Sequence, residues 1–405
     1  MQQPDVAGSG PVLRADVPVQ EQARVAAAAR RRRWRLTAGG SAVLVAAAAL
    51  LASRADPDPA RPAAGRAVTQ SRPAVPLPGS PPGQVVDVAV GSDSLYALLG
   101  SCAGPEQARE CGYRLMAQTR GGRWTRVPVP LPPREGGTGF AARLLLSGSD
   151  TLTVVDEPRG QAYVSEGGAP FVVRRVRDGP ALTAGMPAGL VPELVAGQVT
   201  VFDPATGLRR PLAAQPPLET VPRDVVAGPF GDLWAVAERG LRVAVGHSSD
   251  GGRSWRTAAV PGLRPGLGLL RLVPGQDGTV YLIGGRQSQS GMRVELAELW
   301  RHPGAGGTWS RVAARPRPRS VGSVAAGRSA LLLTDETGTL WRLPASGSFE
   351  RLPDPVVDGA PVRAGPLFSG PGGRTISRPA GGIDGTLLLV SADDGDSWLP
   401  TLVPG

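Results

Sequence analysis

Residues 224–261 read DVVAGPFGDLWAVAERGLRVAVGHSSDGGRSWRTAAVP. Three short apolar runs, DVVA, LWAVA and RVAV, are parted by Gly, Pro and Asp. A Ser-Asp-Gly-Gly turn then leads through Trp255 into a last run, RTAAV. Runs of this length, rich in Val, Ala and Trp and bounded by turn-formers, predict four short β-strands joined by tight turns. Helical periodicity is nearly missing from residue 80 onward. VVDVAV, SLYALL, RLLLS, TLTVV, GTVYLIGG, ALLLTD and GTLLLVSA carry the same strand pattern.

The unit recurs. DVAVGSDSLYALL with YRLMAQTRGGRWTRVPVP, and LRLVPGQDGTVYLIGG with AELWRHPGAGGTWSRVAA, repeat its order of strands and turns. The apolar or aromatic residue expected to open each fourth strand falls at Trp124, Phe171, Leu208, Trp255, Trp309, Phe349 and Trp398, at intervals of 47, 37, 47, 54, 40 and 49 residues. A four-strand repeat of about 40–50 residues is the size of a propeller blade. The prediction is an all-β, seven-bladed β-propeller of four-stranded blades over residues 82–405, preceded by one N-terminal transmembrane helix.

Two turns share one pattern, S-x-D-x-G-x-x-W. They are Ser248, Asp250, Gly252 and Trp255, and Ser391, Asp393, Gly395 and Trp398. A short carboxylate at the start of a tight hairpin can accept backbone N–H groups across the turn, and Gly supplies a left-handed conformation. The pattern resembles the Asp-box, or BNR repeat, of sialidase-like and YVTN/WD40-like propellers. The resemblance implies a structural role for these eight residues on the rim, away from a central site.

As an alternative, the resemblance implies a sialidase-like exo-glycosidase. That family uses an arginine cluster, a Tyr nucleophile with an acidic partner, an acid/base carboxylate and an R-I-P motif. No R-I-P occurs, and Tyr96 and Tyr281 lie in second-strand runs that read as core. His247 and His302 read as surface histidines. No catalytic residue, metal site or cofactor is assigned. Matching positions on the first strands place Asp87, Arg143, Glu193, Asp224 and Arg271 as candidate binding residues at the channel mouth.

Gly (56) and Pro (42) supply many turns, and the chain contains neither Lys nor Asn, so no N-glycosylation acceptor exists. The formal charge is +10. Residues 1–72 hold 11 Arg against 5 acidic residues, which leaves +4 for the remaining 333 residues. The globular part is only mildly basic, which argues against a nucleic-acid partner. Cys102 and Cys111 are expected to pair in an oxidising compartment.

Residues 36–52, LTAGGSAVLVAAAALLA, carry no charge and follow Arg30, Arg31, Arg32, Arg33 and Arg35. This predicts a single-pass membrane segment with a cytoplasmic Arg-rich tail at 1–35 and an extracytoplasmic propeller. Cleavage near Ala55, giving a secreted protein, is the alternative. Residues 53–81 read as a Pro/Ala-rich linker. The expected role is a membrane-tethered binding or scaffold module for a protein or glycan at a bacterial cell envelope. The alternatives are the glycosidase and a sensor signalling through residues 1–35.

Overall fold

The computed structural model describes residues 83–404, apart from 104–109, 120–121, 136–141, 148–150, 241, 264–265, 289–292, 305, 314, 346, 371–372 and 380–386. The expected tail, membrane segment and linker lie outside the described residues. Among the described residues no helix is long and apolar enough to cross a membrane.

Seven sheets follow one another along the chain, and together they make a seven-bladed propeller of four-stranded blades. The innermost strands are Gln84–Val90, Ala142–Ser147, Val191–Val195, Asp224–Ala227, Leu269–Pro274, Ser323–Ala326 and Ala364–Ser369. Blade 1 carries an extra two-residue strand, Arg134–Glu135, against its third strand. A small hairpin, Val356–Val357 with Ala360–Pro361, stands between blades 6 and 7.

Blade packing explains the strand composition. Second strands such as Leu233–Arg239 and Ala330–Thr334 are buried on both faces, so they read as continuous apolar runs rather than alternating ones. One cluster joins blades 4 and 5 through Trp234, Val236, Val245, Leu270, Leu272 and Leu282. Each such side chain contributes about 1.5–3 kcal/mol on burial. Outer strands face water: all four residues of Val172–Arg175 and of Arg256–Ala259 are exposed.

Blade 3 departs from the repeat. Leu208 opens its third strand, Leu208–Pro211, and not the fourth strand expected from sequence. The outer position is filled by Arg177–Asp178, which runs parallel to Leu208–Pro211. The chain leaving blade 2 continues past Arg175 and supplies that edge. Gly179 N–H then donates to Arg209 O at 2.7 Å, and Leu182 N–H to Pro211 O at 2.9 Å.

The ring closes between blades 7 and 1 without exchange of strands. Ile376, Leu388 and Val403 pack with Val85, Val88, Leu95 and Leu99. Arg374 Nη2 donates to Ser92 O at 3.2 Å, and Arg378 Nη1 donates to Val85 O. In blade 1, Cys102 faces Cys111 across the second and third strands, and the two are disulfide-bonded.

Candidate functional site

The five polar residues picked from the first strands occupy innermost strands of blades 1 to 5. Two of them latch neighbouring blades. Asp87 Oδ2 accepts Leu144 N–H of blade 2 at 2.7 Å, and its Oδ1 accepts Val88 N–H at 2.8 Å. Asp224 repeats this one-to-one: Oδ2 accepts Leu272 N–H of blade 5 at 2.8 Å, and Oδ1 accepts Val225 N–H at 3.0 Å. Leu144 follows Arg143 and Leu272 follows Arg271, so the same step of the ring donates in both cases. Ser323 of blade 6 does likewise through Oγ, which accepts Leu367 N–H at 2.9 Å.

Burial pushes the carboxyls of Asp87 and Asp224 up, against the N–H groups they accept and the charges of Arg143 and Arg271. Arg271 pairs through its backbone with Ile283, and its side chain is exposed.

Arg143 and Glu193 belong to a four-membered charge network at the junction of blades 2 and 3. Arg143 Nη2 donates to Glu193 Oε2 and to Glu157 Oε1, both at 2.8 Å. Arg209 Nε donates to Glu193 Oε1 at 2.6 Å, and Arg209 Nη2 to Glu157 Oε2 at 2.7 Å. Each carboxylate thus bridges the same two guanidinium groups, and the chain of bonds closes on itself. Glu157 comes from a single 3-10 turn, Glu157–Arg159, with Pro158 inside it. Burial works against ionisation of Glu157, but Arg209, with Arg143, holds its carboxyl below the usual value. The Arg209 guanidinium also stands 5.9 Å from the centre of the Phe202 ring. Side-chain exposures of 33% for Arg143 and 38% for Glu157 leave their outer edges open to a partner, whereas Glu193 is 12% exposed and Arg209 18%.

Glu157 and Arg209 escaped the sequence reading. Each lies at a turn-to-strand boundary with no motif around it, and only the approach of two blades makes it a site residue. A second cluster was also missed. Asp232 Oδ2 accepts Trp234 Nε1–H at 2.5 Å and lies 3.4 Å from His247 Nε2, while Trp234 stacks on His247 at 4.0 Å. Burial opposes ionisation of Asp232, and its bonds to His247 and Trp234 lower its pKa nonetheless. His302 is buried and not on the surface as expected, packed between Trp234 and Trp309, with Nδ1 accepting Gly304 N–H at 3.2 Å. Burial lowers its pKa. Among the described residues no group of three or more His, Cys, Asp or Glu could hold a metal ion. Tyr281 is buried, and its hydroxyl is pushed up to about 12, first by burial.

The two S-x-D-x-G-x-x-W turns close in the same way. Asp250 Oδ1 accepts Ser248 Oγ–H, Arg253 N–H and Ser254 N–H at 2.8, 3.0 and 2.9 Å, and Oδ2 accepts Ser254 Oγ–H at 2.6 Å. Asp393 accepts Ser391 Oγ–H at 2.9 Å and Ser397 N–H at 3.0 Å. Ser248 and Ser391 hydroxyls accept Gly252 and Gly395 N–H at 2.7 and 2.9 Å. The Ser254 hydroxyl, first among these donors, lowers the pKa of Asp250. Trp255 Nε1–H donates to Ala214 O of blade 3 at 2.9 Å, while the Trp398 ring packs on the blade 6–7 core. The side-chain oxygens of Ser248, Asp250, Ser391 and Asp393 are engaged in holding the turns shut.

By its own sheet topology the chain is a β-propeller protein of seven blades. No protein-family model and no curated protein matches it. Solved structures similar to it are propellers. A streptogramin B lyase structure is 13% identical, with a TM-score of 0.45, over 75% of this chain and 92% of that one. YCF48 bound to a D1 peptide is 14% identical, with a TM-score of 0.41, over 80% and 97%. The WD40 propeller domain of Doa1 is 11% identical, with a TM-score of 0.40, over 79% and 100%.

Proposed function

We propose that this chain is a binding or scaffold module: a propeller of the Asp-box type, tethered outside a bacterial membrane by residues 36–52, that recognises a protein or glycan at the cell envelope. The observation that carries the binding role is the closed network of Arg143, Glu157, Glu193 and Arg209. It presents two half-exposed charged edges in a fixed geometry, and side chains held before a partner arrives lose little entropy on binding. The Arg run before the apolar segment supports the tether, and the two serine–aspartate turns support the repeat type.

The glycosidase reading is less well supported. Asp87 and Asp224 spend their carboxylate oxygens on backbone N–H groups of the inner strands, so neither stands free as an acid or base. A fluorogenic glycoside panel tests this; turnover abolished by substitution of Asp87 or Asp224 would reverse the choice. For the binding role, a photo-crosslinking residue is placed in cells at Glu157 or at Arg256 on an outer strand. A discrete adduct from position 157 alone supports the reading. Equal labelling from both positions, or none, sinks it.

A further inference from the structure

Arg286, Arg317 and Arg319 stand at one end of blade 5, and Arg315 lies two residues ahead of Arg317; all four are exposed and none has an acidic partner in an ion pair among the described residues. Blade 5's second strand, Val280–Gln287, and third strand, Val294–His302, are joined at this end. The connector from blade 5 to blade 6 is strapped to the same end. Leu296 N–H donates to Arg319 O at 2.9 Å, Val321 N–H to Val294 O at 2.8 Å, and Arg317 Nη1 reaches Ala297 O at 3.5 Å. Glu295 is flanked by Arg286 on one side and Ser320 on the other.

The sequence R-P-R-P-R at 315–319 explains the display. Both prolines fix φ, and Pro318 favours an extended conformation at Arg317 before it. Pro318 and Ser320 are buried while Arg317 and Arg319 are exposed, the alternation of an extended segment. Arg317 and Arg319 therefore offer guanidinium groups at alternate residues, about 6–7 Å apart, with Arg315 just ahead of them.

Nearby acids do not neutralise this row. Glu298 is taken by Arg311 at 2.9 Å, and Glu336 by Arg293 at 3.0 Å. Counting Arg286, Arg293, Arg315, Arg317 and Arg319 against Glu295 and Glu336, five positive and two negative charges leave +3 at this edge. Residues 73–405 hold 33 Arg and 29 acidic residues, a net of +4, so most of that excess gathers here.

We propose that this edge binds a linear polyanion whose carboxylate or phosphodiester groups recur at about the spacing of alternate residues in an extended chain. Guanidinium groups pair with either anion in a bidentate manner. One small anion would need one arginine; a fixed row gains only from a ligand that engages several at once. The proposal does not depend on the tether or on the blade 2–3 network.

The test uses the full chain in detergent and two fluorescent probes of about a dozen units, a poly(glycerol phosphate) and an oligogalacturonate, followed by anisotropy. At least one probe binds in 50 mM salt, and its affinity drops about 50-fold by 200 mM if four anions are neutralised. Binding of the phosphate probe alone assigns a phosphodiester polymer, binding of the uronate alone a uronic-acid polymer, and binding of both a readout of charge spacing. The variant R315Q/R317Q/R319Q loses about tenfold or more, while an equal-charge control on outer strands, R174Q/R175Q/R256Q, changes less than about twofold. If the triple variant loses its near-ultraviolet circular dichroism, R317Q alone takes its place, with about a threefold loss expected. The proposal is overturned if neither probe binds, if the control loses as much as the triple variant, if R317Q binds like wild type, or if glycerol 3-phosphate competes as well as the polymer at equal phosphate.

Discussion

Asp224 on the inner strand of blade 4 accepts the backbone N–H of Leu272 on the inner strand of blade 5, at 2.8 Å. One carboxylate thereby ties two blades at the axis, and Asp87 ties Leu144 in the same manner.

Replacing Asp224 by Ala strands two N–H donors and should lower stability by about 1–3 kcal/mol in urea denaturation. Arg271→Ala, which removes an exposed side chain from the same ring, should change it by less than about 0.5 kcal/mol. Equal losses from both would contradict the latch.

The pH dependence of these latches has a definite sign. Burial raises the folded pKa of Asp87 and Asp224 above the unfolded value of about 4. Within that window the native state binds more protons than the unfolded one, so stability falls as pH rises through it. His302 acts in the opposite sense. Its folded pKa is lowered, so its contribution is lost as pH falls from about 6.5 toward that lower value. Melting curves between pH 4 and 7 should show the Asp-linked slope reduced in Asp224→Asn and the His-linked slope reduced in His302→Gln. Unchanged slopes in both variants would refute these assignments.

The glycines of the two serine–aspartate turns differ from a glycine in an open turn. Gly252 and Gly395 have φ of +87° and +86°, and a Cβ at either would stand 2.7 Å from a leucine methyl, Leu212 or Leu352, of the preceding blade. Gly262 has φ of +67° with nothing near its would-be Cβ. Alanine at Gly262 should lose about 1–2 kcal/mol from the left-handed backbone alone. At Gly252 or Gly395 the loss should exceed it, as measured by thermal melting. A ranking with Gly262→Ala worst would show that the contact with the preceding blade is slack.

Reduction of the Cys102–Cys111 bond, or Cys102→Ser with Cys111→Ser, should lower stability by about 2–3 kcal/mol, since the loop it closes is short. Refolding in urea with and without reductant measures this. No difference would mean that the hairpin pairing alone fixes the loop in the unfolded state.

Six of the seven residues spaced by blade length do stand at outer strands: Trp124 opens one, and Phe171, Trp255, Trp309, Phe349 and Trp398 each immediately precede one. Strand alternation and turn chemistry are local, so they were visible in the sequence. Leu208 misled because the outer edge of blade 3 comes from residues ahead of its first strand, and no local pattern marks a borrowed strand. The same limit applies to the charge network. Arg143 and Glu193 could be aligned as inner-strand residues, but Glu157 and Arg209 meet them only through the approach of two blades. His302 read as a surface residue because the repeat register puts it close to an outer hairpin; Trp234 of the adjacent blade covers it.

The position of the disulfide has a mechanical consequence. Gln84, where the chain enters blade 1, pairs with Gly100, and Cys102 lies two residues further along the same strand. Force arriving from the N-terminal side is therefore borne first by the pairing of Gln84–Val90 with Ser94–Ala103, which has no covalent tie, while the disulfide cross-links the second of these strands to the third, Glu110–Thr119. The same strand also forms the joint between blades 1 and 7, which has side-chain packing and three arginine hydrogen bonds, two from Arg374 and one from Arg378, among the described residues. Under tension the strand Gln84–Val90 would peel away first, and the cross-linked pair behind it would hold.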